Sequence, residues 1–264
     1  MIYGQWMARE IQEDVVQLTG GPQLAVRTLT GPRRPFLLVH DLGERARCWD
    51  AVAGRLNAAG HQVAAVDLRG HGDSQAPDGG YDTDTCADDL STLMDRLEFT
   101  GSRSPVVAGH GWGANVVLSL AARRNGIAAA FCLNGGWIRP SWRYRSFEDY
   151  WAAYSARPPR HQDDETVALQ QHRQSIVRSL FNGEPRAWYP LINVPVTLCP
   201  VVPPDGRPDP SGDSAATRTG VAEATARLPR SRISWYYGEP DVLTTDPGRV
   251  SADLLALAAT ALEQ

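Results

Sequence analysis

The sequence predicts an α/β protein: a mostly parallel sheet covered by helices on both faces, with a helical segment inserted late in the core. Three observations carry this. Apolar runs of strand length alternate with amphipathic runs of helix length. The strand-length runs are apolar throughout, as strands buried on both faces are. The rhythm breaks at Gly135 and resumes at Val194, which marks an insertion rather than a second domain.

The elements follow in order. Val15 to Leu18 and Leu24 to Leu29 form a hairpin through Gly20-Gly21, and Phe36 to Val39 is a buried strand. Cys48 to Ala58 reads as a helix stopped by Gly60, and Val63 to Val66 as the next strand. Asp82 to Leu97 is a helix, with Leu90, Leu93, Met94 and Leu97 at helical spacing. Val106 to Ala108 is a strand, Ala114 to Arg123 a helix and Ala128 to Leu133 a strand. From Trp137 to Pro190 no strand pattern exists; Phe147 to Tyr154 and Thr166 to Leu180 read as helices. The core then continues as strand Val194 to Cys199, helix Ala215 to Leu228, strand Ile233 to Tyr237 and helix Val250 to Leu262. The expected division is a core over 1–136 and 191–264 with a helical cap over 137–190.

Composition narrows the function classes. The formal net charge of -4 and the lack of a long basic run argue against a nucleic-acid partner. No apolar run approaches the roughly 20 residues of a membrane span, and no leader pattern opens the chain, so a cytoplasmic location is expected. Cys48, Cys86, Cys132 and Cys199 show neither paired nor metal-finger spacing, so neither metal nor cofactor is expected. Every basic residue is arginine, which suggests a GC-rich, actinobacterium-like genome.

The informative segment is Val106-Val107-Ala108-Gly109-His110-Gly111-Trp112-Gly113. An apolar strand runs into a sharp glycine-rich turn and then a helix. Such a turn exposes one nucleophilic side chain above a sheet. Here the central residue is Gly111, which has none. Phe36 to Gly43 reads as a strand followed by a His-Asp-Leu-Gly loop, and Asp67-Leu68-Arg69-Gly70-His71-Gly72-Asp73-Ser74 forms a compact turn motif.

Together, in this order and spacing, these motifs resemble the α/β-hydrolase superfamily over nearly the whole chain. The resemblance implies a nucleophile at position 111 and a histidine before the last helix. Gly111 and Pro240 stand in those places, in Tyr237-Gly238-Glu239-Pro240-Asp241-Val242, and the last histidine in the chain is His172. It also implies an oxyanion-binding pair of backbone amides, from Leu42 and Trp112. Asp41 replaces a glycine usual in the oxyanion loop.

Several residues are therefore candidates. Asp41 is either a solvent-facing turn residue or an acid–base group. His110 is either packed beside the sheet or an acid or base near the pocket. Glu239 flanks the vacant histidine position as a solvated loop residue or a base. Cys199 lacks an evident histidine partner as a relocated nucleophile. The cap is aromatic-rich in a chain only 8% aromatic. Trp137, Arg139, Trp142, Tyr144, Tyr150 and Trp151 are candidate contacts for a flat, partly anionic molecule, or else cap packing.

The sequence thus points to a divergent member that binds a small, aromatic or polyketide-like molecule under its cap. Cyclisation, elimination, dehydration or rearrangement fits, in a secondary-metabolic setting, and a simple acyl ester should not turn over. The alternatives are a non-catalytic ligand- or protein-binding pseudo-hydrolase and an ordinary hydrolase altered at its elbow. Oligomeric state is not readable from the chain.

Overall fold

The structure, a computed structural model, describes residues 10–137, 140–142, 144–156, 167–183, 185–203, 213–238 and 241–261. The chain opens with β1 (Gln12–Gln17) and β2 (Gln23–Leu29), then β3 (Arg33–Val39), a 3-10 turn and α1 (Asp50–Ala58). β4 (His61–Val66), α2 (Thr83–Arg96), β5 (Val106–His110), α3 (Trp112–Arg123) and β6 (Ala129–Leu133) complete the first part. Between β6 and β7 (Val196–Cys199) come α4 (Phe147–Ser155) and α5 (Val167–Asn182). β8 (Val201–Val202), α6 (Asp213–Arg227), β9 (Ser231–Ile233), β10 (Tyr236–Tyr237), α7 (Val242–Thr245) and α8 (Pro247–Thr260) follow.

Among the described residues the main sheet has eight strands, in the order β1-β2-β4-β3-β5-β6-β7-β9. β1 and β2 run antiparallel and every pairing from β4 to β9 is parallel. Successive side chains along a strand point to opposite faces. On β3, Leu37 and Val39 enter one core with Leu90 of α2 and Val117 of α3, and Phe36 and Leu38 enter the other with Leu56 of α1 and Leu254 of α8. Burial on both faces explains the unbroken apolar runs.

β3 and β5 are neighbours, paired from Phe36↔Val106 to Val39↔Gly109. Their carboxyl ends therefore deliver residues 40–42 and 110–112 side by side at the middle of the sheet. The start of α3 reaches that edge closely because Gly113 has no side chain: a Cβ there would strike the backbone oxygens of His40 and Val39.

The turn motif ties this edge down. Asp67 Oδ1 accepts from the Ala46 N–H at 2.6 Å and Oδ2 from the Asp73 N–H at 2.9 Å. Arg69 forks onto Asp89 of α2 at 2.6 and 2.7 Å, with both residues buried. His71 is fully buried. Its Nδ1–H donates to the Arg69 carbonyl at 3.0 Å, and Nε2 has no hydrogen-bond partner.

Burial, with neighbouring His40, drives His71 down from 6.5 to about 3. Its folded value lies below its unfolded one, so its contribution to stability is present above about pH 6.5 and lost as pH falls toward 3. Thermal melts between pH 7 and pH 4 should show this loss, and a His71→Phe variant should lose less over the same range. Parallel pH slopes for both proteins would remove His71 as the cause.

One expected strand differs. Ile233 to Tyr237 is two short pieces, β9 on β7 and β10 on β8. Pro200 has no N–H and ends β7 at Cys199. The chain re-pairs across it, with the Tyr236 N–H donating to the Pro200 carbonyl at 2.9 Å. α3 begins at Trp112, two residues before the expected Ala114, because the turn at Gly111 leads straight into it. α8 begins at Pro247, not Val250, with Asp246 capping it through the Arg249 N–H.

Candidate active site

Gly111 joins β5 to α3 with φ 53° and ψ -118°, a left-handed backbone that side chains rarely adopt. A Cβ built there would overlap the Asp41 carboxylate, which fills the space a side chain at 111 would need. The Trp112 N–H donates to Asp41 Oδ1 at 2.6 Å, and the Leu42 N–H donates to the same oxygen at 2.8 Å. The amide pair expected to receive a ligand's charge thus holds the chain's own carboxylate. Asp41 is half-buried; its carboxylate turns inward to the amides rather than standing as a simple solvent-facing turn residue.

The backbone behind Asp41 is fixed on three sides. His40 Nδ1–H donates to the Asp41 carbonyl at 2.7 Å, while its Nε2 accepts from the Leu68 N–H at 3.0 Å. The Glu44 N–H donates to that carbonyl at 3.1 Å, and the Asp41 N–H donates to Glu44 Oε2 at 3.3 Å. Buried Glu44 also bonds buried His110, with Nδ1 to Oε2 at 3.1 Å. His110 is packed beside the sheet and joined to the Asp41 loop through Glu44. Cys48 hydrogen-bonds Glu44 as well; burial first, and the Glu44 carboxylate second, push its thiol well above the ordinary range. Burial does the same to Cys132 and Cys199, so Cys199 stays a thiol and is not a relocated nucleophile.

The structure therefore brings together Asp41, Gly111, the Leu42 and Trp112 amides and, through Glu44, His110. Trp112 points its indole N–H at Thr83 Oγ1, 3.2 Å away. Sequence reading missed Glu44, whose partner His110 lies 66 positions away, and the bracing role of His40.

The cap candidates divide. Trp137 is buried, and the ring of Tyr144 lies 5.2 Å from that of Tyr150. Tyr150 stacks on Phe181 of α5 at 6.0 Å, and Trp151 stacks on Phe147 and Tyr154. Arg178 lies 3.7 Å above the Phe147 ring. These contacts join α4 to α5. The Trp142 backbone belongs to a 3-10 turn, but its side chain, like Arg139, Glu239 and Pro240, lies outside the described residues. His172, the last histidine, stacks on Tyr81 at 4.4 Å.

Among the described residues no cluster of His, Cys, Asp and Glu could hold a metal ion, and no helix is long and apolar enough to cross a membrane. A cleft of about 230 Å³ lies on the β1–β2 side beside Arg27, Arg45 and Asp67. Arg27 pairs with Glu13 and Asp50, and Arg45 with Asp67 and Asp73, so these cations are committed to protein partners.

Comparison with known proteins agrees with this fold. Residues 30–178, more than half of the chain, match the family model Hydrolase_4, described as serine aminopeptidase, S33. The chain belongs to the Hydrolase_4 family. It is a member of the α/β-hydrolase superfamily, and its fold is the α/β-hydrolase fold. The esterase of Exiguobacterium antarcticum superposes with a TM-score of 0.74 at 16% identity, over 94% of this chain and 100% of that one.

Among curated relatives, a non-heme chloroperoxidase of Streptomyces lividans is 36% identical over 95 residues, which are 35% of this chain and 33% of that protein. An AB hydrolase superfamily protein of Bacillus subtilis is 30% identical over 96 residues, 36% of this chain and 35% of that protein. The chain thus matches about a third of the length of these relatives.

Proposed function

We propose that this Hydrolase_4 member is an enzyme acting on a small organic molecule without a covalent intermediate, with Asp41 as its general base. The observation that carries the reading is the Asp41 carboxylate, held at the elbow where Gly111 offers no side chain. Gly111 and Pro240 then stand for a lost nucleophile and a lost triad histidine. His172, the last histidine in the chain, stacks on Tyr81.

The family changes the expected reaction class. Its description and the hydrolase name among the relatives favour hydrolysis over cyclisation, elimination, dehydration or rearrangement. In this reading Asp41 takes a proton from water, the resulting hydroxide adds to a carbonyl carbon, and the proton passes to the leaving group. Oδ2 is the oxygen of Asp41 that the amide pair does not engage. The segment 137–190 acts as a cap, with Trp137, Arg139, Trp142, Tyr144, Tyr150 and Trp151 as the ligand contacts and Glu239 at the rim. A cytoplasmic setting, a GC-rich actinobacterial source and a role in secondary metabolism complete the proposal.

Occupation of the amide pair favours a second reading, a pseudo-hydrolase that binds its ligand without turnover. One experiment separates the two. Activated esters and lactones, such as 4-nitrophenyl acetate, are offered to wild type and to Asp41→Asn. Slow turnover without a burst, insensitive to active-serine reagents and lowered about 10²-fold or more in the variant, is expected. No turnover across the panel selects the pseudo-hydrolase. A burst abolished by an active-serine reagent overturns both.

A further inference from the structure

We infer that Asp41 is a displaceable internal ligand, and that this structure is a self-closed state of the elbow. Two backbone amides from segments about 70 positions apart converge on one oxygen, Asp41 Oδ1. The space that lets the carboxylate reach them exists because residue 111 is glycine. With Asp41 seated, the Leu42 and Trp112 N–H groups have no capacity for a ligand's oxyanion. With Asp41 swung out, the same pair faces the site as two donors from the same positions.

The motion this requires is small. The backbone of residue 41 is held by His40 and Glu44 on both its N–H and its carbonyl, so the loop stays in place. Rotation about the side-chain bonds of Asp41 suffices, between staggered wells and within a half-buried position. The open pair takes the negatively charged oxygen of an acyl compound, such as a carboxylate or the oxyanion formed on a carbonyl. An external ligand must compete with a carboxylate tethered beside its site, whose effective concentration is on the order of millimolar or higher. The closed state therefore weakens anion binding and admits ligands by exchange with Asp41. The inference concerns access to the amide pair and rests on the proposed site, not on which reaction occurs there.

The test uses acetate and benzoate as probes on the full-length protein. Binding is followed through the backbone amide resonances of Leu42 and Trp112 in wild type, Asp41→Ala and Asp41→Asn. The expected result is at least about tenfold tighter binding in Asp41→Ala than in wild type, with the largest shifts at those two amides. Asp41→Asn, which keeps the shape but offers a neutral and weaker acceptor, should fall between them. Equal affinity in all three proteins overturns the inference, as do shifts centred elsewhere. If Asp41→Ala fails to fold, Asp41→Asn alone decides: binding no tighter than wild type overturns it. The base assignment fails separately. Unchanged turnover in Asp41→Asn with tighter anion binding removes the base and keeps the internal ligand. Lost turnover without tighter binding does the reverse.

Discussion

Gly111→Ser is expected to destabilise the protein and to return no efficient esterase. The backbone at 111 has φ 53°, and a side chain in such a region costs about 1–3 kcal/mol even where space is open. Here space is not open, because the new Cβ would overlap the Asp41 carboxylate. The carboxylate must leave its two amide donors, or the turn must shift. At roughly 2–4 °C per kcal/mol, a melting temperature lower by about 5 °C or more should result. Efficient esterase activity should not follow, since the new side chain displaces the Asp41 carboxylate from its place and no histidine after His172 is present to take the serine proton. In an Asp41→Ala background the same change should cost measurably less, leaving mainly the backbone term. Melting of the four proteins of this cycle checks the claim. Equal costs in the two backgrounds would show that Asp41 does not occupy the space of a side chain at 111.

Arg69→Met should have the largest effect on stability in the core. Arg69 and Asp89 are both buried and bonded through two N–H groups, and Arg69 also reaches the Gly79 carbonyl. Burial pushes the Asp89 carboxyl up against the pull of the Arg69 guanidinium. Removing the cation leaves that carboxylate buried and uncompensated, a loss of about 3–5 kcal/mol. Because the pair joins the Asp67–Ser74 turn to α2, the loop beside Asp41 should loosen too. Arg69→Met with Asp89→Leu should recover much of the loss, since an apolar pair of similar volume is often neutral. Urea unfolding of both variants measures this. An Arg69→Met protein within about 1 kcal/mol of wild type would mean the ion pair contributes little.

The sheet was legible because its signal is local. Strands such as Phe36–Val39 and Val106–Ala108 are apolar at every position, and helices such as Thr83–Arg96 repeat Leu90, Leu93 and Met94 on one face. The elbow was legible for the same reason: a strand, glycines at 109, 111 and 113, then a helix. That Asp41 and Gly111 meet was also foreseeable, since both follow neighbouring strands in the middle of the sheet. What the meeting does was not. Whether a carboxylate turns toward two amides or toward water is set by a few ångströms between segments far apart in sequence. Glu44 was missed because nothing around it in sequence marks it; only the fold brings His110 within 3.1 Å. The split of the last strand depended on the partner of Tyr236, across Pro200, and not on Tyr236 itself.

The overlap between Asp41 and residue 111 also bears on the history of such a chain. An aspartate at 41 makes a side chain at 111 harmful, while glycine at 111 sets no such penalty on changing Asp41, so the constraint runs one way. With aspartate at 41 and glycine at 111, a lineage that acquires a side chain at 111 first passes through a strained protein. Only the order in which Asp41 is replaced beforehand avoids that intermediate. Swaps at 111 alone should be rare among sequences that retain aspartate at 41, a pattern that counting paired residues at these positions in related chains would reveal.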